Sequence, residues 1–152
     1  MIMDELLEFA DGSTDVQAAT GTALIGDVID LGATEQDFGS GEPMYLVIQI
    51  DTAITSSTSG ASVAFQVASD SAAAVATNGD QSIHAVTDAI AEATLVAGFE
   101  LVIPMPIGVG VPYERYLGVQ AVISGEAVTG GAVSAFLTKA PKKWVSYPDA
   151  TN

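Results

Sequence analysis

The sequence predicts an all-β protein, a jelly-roll β-sandwich of about eight strands, and three observations carry that prediction. First, residues 114–138 hold two apolar runs that alternate with a period of two. Leu117, Val119, Ala121 and Ile123 fall on one face against Tyr116, Gly118, Gln120, Val122 and Ser124; Val133, Ala135 and Leu137 alternate with Ala132, Ser134, Phe136 and Thr138. That period is the pattern of a half-buried strand, and the polar, Gly-rich link between the runs reads as a β-hairpin. Second, short apolar runs elsewhere are separated by turn clusters without strand–helix–strand alternation. This favours a sandwich, with a jelly roll as the favoured topology at this strand count. Third, the 49% hydrophobic fraction is largely Ala and Val and is punctuated by 15 Gly and 6 Pro, which suits short strands and tight turns.

In order along the chain, residues 1–9 (MIMDELLEF) space Ile2, Leu6 and Phe9 for one or two helical turns, and an extended course fits them equally. Residues 10–22 are small and polar and read as an arm or loop that an outside surface must order, such as a neighbouring subunit. Residues 23–31 (ALIGDVIDL) form the first strand, with Gly26 where a bulge is tolerated. After an acidic, Gly-rich loop over 33–43, residues 44–51 (MYLVIQID) make the most densely apolar strand, expected to be covered on both faces. The Thr/Ser run 52–60 is a loop, and 61–69 is a strand with Val63, Phe65 and Val67 inward. Residues 70–80 contain the Asn78-Gly79 turn signal and an Ala stretch suited to a short helical turn. Residues 81–97 fit helix or strand, the spacing of turn signals favouring strand. Residues 99–105 form a strand that Pro104 and Pro106 push to a sheet edge, and 106–113 a turn-rich loop. The organisation is an N-terminal arm (1–22), a sandwich (23–138) and a Pro-punctuated C-terminal tail (139–152).

Nineteen acidic residues against four basic ones give a formal net charge of -15. Such a surface repels phosphate backbones and anionic headgroups, so neither nucleic acid nor membrane is expected as a partner. The acidic excess also keeps a hydrophobic, β-rich chain soluble. Cysteine is absent, which removes disulfides, thiolate metal sites and a cysteine nucleophile. The apolar stretch 95–113 fails as a membrane span because Glu100, Pro104, Pro106 and Pro112 interrupt it. Asp4, Glu5 and Glu8 stand where an export signal needs basic residues.

The inventory for catalysis is thin. His84 is the one histidine and has no second His or Cys for a metal site, so it reads as a solvated loop or satisfied strand residue. Gly108-Val109-Gly110 is a turn rather than a nucleotide signature, since no helix follows. Asp11, Asp15, Asp27 and Asp30 offer oxygen ligands for calcium, but Asp/Gly turn chemistry explains the same residues. No catalytic residue, cofactor or metal is expected, and an enzyme is not. Arg115, the one arginine, is either a salt bridge at a strand end or an interface anchor. Lys139, Lys142 and Lys143 precede Trp144 and Tyr147, making a cationic, aromatic tail suited to an acidic neighbour, a second copy included. Its alternative role is packing of Trp144 on the parent sandwich.

Six blocks, MIMDELLEFADG, VIDLG, GEPMYLVIQID, ASVAFQVASDS, ERYLGVQAVISG and GGAVSAFLT, taken in order, resemble the capsid cement (decoration) proteins of tailed bacteriophages across nearly the whole chain. The resemblance implies a jelly roll without a catalytic site, assembling as a small homo-oligomer, dimer or trimer, on the outer surface of a phage head. It further implies binding to the major capsid protein across capsomer junctions. The contact residues expected from this sequence are Phe9, Asp11, Arg115, Lys142, Lys143, Trp144 and Tyr147. Gly118, Gln120, Ala132 and Ser134 form a small-residue face for a symmetry mate to cover. The alternative is a carbohydrate- or receptor-binding β-sandwich.

Overall fold

A computed structural model describes residues 5–16, 18–32, 42–107 and 110–141. Nine strands follow one another: β1 (Glu8–Asp15), β2 (Gly21–Asp30), β3 (Tyr45–Ser56), β4 (Ser62–Asp70), β5 (Ser82–Val86), β6 (Ile90–Ala91), β7 (Glu100–Pro104), β8 (Tyr116–Ser124) and β9 (Val128–Thr138). The first sheet has the order β1-β9-β3-β7 and the second β2-β8-β4-β5, with β6 also beside β4. All described pairings are antiparallel. With the two-residue β6 set aside, this is the interleaved order of a jelly roll. Among the described strands only β4 and β5 are successive hydrogen-bonded neighbours, and the other connections cross between or along the sheets.

The core lies between the sheets. Leu46, Ile48 and Ile50 from β3 and Val133, Ala135 and Leu137 from β9 meet Val63, Phe65 and Val67 from β4 and Leu117, Val119, Ala121 and Ile123 from β8. β3 sits between β9 and β7 and buries residues 46–50 on both faces, as its apolar density requires. β7, with Pro104 at its end, is an edge strand.

The two runs of 114–138 are strands, but they are not a hairpin. β8 lies between β2 and β4 while β9 lies between β1 and β3, so residues 125–127 arch from one sheet to the other. Alternation determines which side chains face inward and leaves the hydrogen-bonding neighbour open. Here the two inward faces oppose each other across the core instead of lying side by side. Gly125, at φ +80, makes the crossing possible, because a Cβ there would stand 2.3 Å from the Gly60 carbonyl oxygen.

The segment expected to be an arm contains an edge strand. After a 3-10 turn at Glu5–Leu7, β1 pairs with β9 in the register Glu8↔Phe136, Thr14↔Val133 and Asp15↔Ala132. Two register irregularities break its alternation, which hides the strand in the sequence. β3 likewise runs on to Ser56, into the expected Thr/Ser loop. No helical turn forms over 71–80; that stretch consists of bends and turns closed by Asn78 and Asp80. Residues 81–97 resolve into β5, β6 and a 3-10 turn at Glu92–Thr94. The bulge expected at Gly26 is present: pairing with β8 shifts register between Ile25 and Ile29, and Gly26 adopts φ +61. No described helix is long and apolar enough to cross a membrane.

Candidate interaction surfaces

Three surfaces follow from this topology: the flank where the β1 and β2 edges meet, one end of the sandwich, and the outer face of the second sheet. On that flank β1 approaches β2 so closely that a Cβ on Gly26 would lie 2.0 Å from the Phe9 carbonyl oxygen. Phe9 itself is 1% exposed and belongs to the core, so its ring packs the interior of this chain. Asp11 is exposed and closed on its own turn. Its Oδ1 accepts from Ser13 N (3.1 Å), Ser13 Oγ (2.7 Å) and Thr14 Oγ1 (3.0 Å), which hold its carboxyl below the usual range.

Arg115 anchors within the chain. Its Nε and Nη2 donate to the two carboxylate oxygens of Asp30 at 2.9 and 2.8 Å, and its guanidinium lies 4.8 Å over the Tyr116 ring. Asp30 is pushed down to about 2 by this pair and by the Gly32 N–H. Both side chains are 45% exposed, so the pair contributes little to stability. It ties the end of β2 to the start of β8. Lys139 forms a second exposed ion pair, with Glu42. Lys142, Lys143, Trp144 and Tyr147 lie outside the described residues, as do Gly108 and Val109.

At one end of the sandwich, polar groups close on one another. Ser69 Oγ and His84 Nε2 are 2.7 Å apart, Glu114 N donates to Ser69 Oγ at 2.9 Å, and Ser82 Oγ donates to Glu114 Oε1 at 2.7 Å. Tyr113 stacks on His84 with ring centroids 4.0 Å apart, and its hydroxyl donates to the Pro106 carbonyl at 3.0 Å. Burial lowers the His84 pKa, against the opposing pull of its hydrogen bond to the Val111 backbone and of the Glu114 carboxylate. Burial also pushes the Tyr113 hydroxyl up to about 12. A Ser–His pair at this distance invites a nucleophile reading, but Ser69 is 0% exposed and its oxygen already accepts the Glu114 amide. A hydroxyl so placed reaches no substrate. The cluster instead pins the β7–β8 connection to β4 and β5.

The outer face of the second sheet is covered by its own chain. Residues 71–81 fold over it, and buried Gln120 ties them down: Oε1 accepts from Gln66 Nε2 at 2.7 Å and from Gln81 Nε2 at 3.4 Å, while Nε2 donates to the Ala76 carbonyl at 2.7 Å. Val75 packs where a Cβ on Gly118 would meet it at 3.3 Å. Gly118 and Gln120 are therefore covered intramolecularly. They share no face with Ala132 and Ser134, which lie on β9 in the other sheet, Ser134 Oγ donating to Asp51 at 2.7 Å. The face expected for a symmetry mate is not formed, because the hairpin that would have joined these residues is an arch. The Gln network was not singled out from the sequence; its signal was polar Gln66 and Gln120 inside otherwise apolar strands.

Among the described residues no group of three or more metal-ligating side chains converges. A family model described as Bbp16 matches residues 13–137, from within β1 to the penultimate residue of β9. The chain belongs to the Bbp16 family. No curated protein matches it. The Bbp16 match takes in the jelly roll from the middle of β1 to near the end of β9, with Arg115 and the Gln120 network, and leaves Phe9, Asp11 and the cationic tail outside the matched range.

Proposed function

We propose that this Bbp16-family chain is a phage structural protein, a cement or decoration protein that binds the outer surface of the head. Its partners on this reading are the major capsid protein and further copies of itself. It catalyses nothing and needs no cofactor. The observation that supports the reading is the interleaved strand order, the fold implied by the resemblance to capsid cement proteins, in a chain whose six sequence blocks follow that family's order. The closed polar clusters fit it as well. Ser69, His84, Gln66 and Gln120 are used in holding loops to sheets, and a clamp that acts through many modest contacts requires no deep pocket.

The test is cosedimentation of the purified protein with expanded, undecorated heads of its phage, with its mass measured by light scattering. Saturable binding at a fixed ratio to the major capsid protein is the expected result. A protein that ignores heads at every concentration overturns the proposal.

A further inference from the structure

The turn that closes the cover over the second sheet carries Asn78-Gly79, and its geometry is that of a reactive site. Of the two asparagines in the chain, Asn78 alone precedes a glycine. Residues 78–80 are all exposed. Gly79 has φ +103 and nothing lies within 4 Å of where a Cβ would stand, so no side chain blocks its backbone nitrogen from the Asn78 amide. The Asn78 side chain is folded back on the chain instead of pointing into water. Its Oδ1 accepts from Asp80 N at 3.2 Å, and its Nδ2 donates to Asp80 Oδ2 at 2.7 Å.

We propose that Asn78 is a deamidation site, modified by water alone, and that its conversion frees the Gln81 end of the cover from the sheet beneath. The Gly79 nitrogen attacks Asn78 Cγ. A C–N bond forms, the Cγ–Nδ2 bond breaks, and the departing group takes the proton of Gly79 N to leave as ammonia. Water then opens the cyclic imide at either carbonyl, giving aspartate or isoaspartate, its hydroxyl going to carbon and its proton to the Gly79 nitrogen. Nothing is oxidised or reduced. As the attack proceeds negative charge builds on Oδ1, which already faces the Asp80 N–H. One contact opposes the step. Gly79 N donates to Gln81 Oε1 at 2.9 Å, so attack begins only when that bond opens, and Gln81 restrains the reaction.

The consequence follows from what holds the cover down. Gln81 is buried, and its Nε2 reaches Gln120 Oε1 at 3.4 Å. Ala76 is held twice, its N–H donating to Asp70 Oδ2 at 2.9 Å and its carbonyl accepting from Gln120 Nε2 at 2.7 Å. Conversion to aspartate replaces the Nδ2 donor by a carboxylate oxygen facing Asp80, so attraction becomes like-charge repulsion. The isoaspartate route also puts an extra carbon into the backbone between residues 78 and 79, which shifts Gly79 N off Gln81 Oε1. Residues 77–82 loosen as a result, and Ala76 stays in place.

The experiment follows the full chain over time at neutral and mildly alkaline pH by intact mass, anion exchange and isoaspartyl methyl labelling. Two variants run beside it: Gln81→Leu, and Asn78→Ser, which keeps an oxygen for the Asp80 N–H but cannot form the imide. Wild type should gain a negative charge and the mass of an amide-to-acid exchange, faster as pH rises, and Asn78→Ser should gain neither. Gln81→Leu should convert about two- to tenfold faster, the worth of one hydrogen bond. Amide exchange of the converted protein should quicken over 77–82 and leave Ala76 protected. Wild type that keeps its mass while the same chain in urea converts overturns the site, as does equal conversion of Asn78→Ser. Unchanged exchange over 77–82 in converted protein overturns the release of the cover, and a wild-type rate in Gln81→Leu overturns the restraint. If Gln81→Leu fails to fold, the wild-type and Asn78→Ser time courses still decide the site.

Discussion

Replacing Gly26 with alanine tests whether the β1/β2 contact is as tight as its geometry demands. Gly26 adopts φ +61, where an L-residue costs about 1–2 kcal/mol. The new Cβ would stand 2.0 Å from the Phe9 carbonyl oxygen, an atom of backbone that no rotamer change can move aside. β1 must therefore retreat, and with it Phe9, whose ring is 1% exposed. Losing that burial costs about 1.5–3 kcal/mol more. The total, roughly 2.5–5 kcal/mol, is a large part of the 5–15 typical of a domain. Gly98→Ala is the control: φ is +87 but nothing lies within 4 Å of the added carbon, so the backbone contribution stands alone. Urea denaturation followed by far-ultraviolet circular dichroism gives both values. Equal losses in the two variants would refute the close approach of β1 to β2.

Gln120→Leu strands the Gln66 amide and the Ala76 carbonyl at a buried site, and a loss of about 2–4 kcal/mol is expected in urea denaturation. Faster amide exchange over 71–81 should accompany it, and a neutral substitution would show that the loop is held by other means. Arg115→Ala removes an exposed pair, so only a small loss is expected, one that vanishes in about 0.5 M salt; a large, salt-independent loss would mean the pair is not solvent-screened. Acid should act in two steps. His84 binds its proton less readily folded than unfolded, so its contribution is complete above 6.5 and lost as pH falls from there toward its lowered folded value. Asp30, Asp70 and Glu126 are held below their ordinary values by Arg115, by the Ala72 and Ala76 amides and by the Thr58 amide, so theirs is lost below about 4.5. His84→Gln should keep only the second step in a pH series of thermal midpoints, and identical profiles would contradict the assignment.

What the sequence made legible is what depends on neighbouring residues alone. The inward sets of β4 and β8, the edge position imposed on β7 by Pro104 and the bulge at Gly26 all follow from local pattern or backbone restriction. Pairing partners were not legible, because period two says which face is buried and nothing about which strand lies alongside. That is why the arch at 125–127 reads as a hairpin. β1 was hidden for a different reason: its bulges and its Asp11 turn break the alternation, which also blunts an exposed edge. The exposure of Ile83 and Val102 was not legible either, because it depends on which strands end at the edges of the sheets.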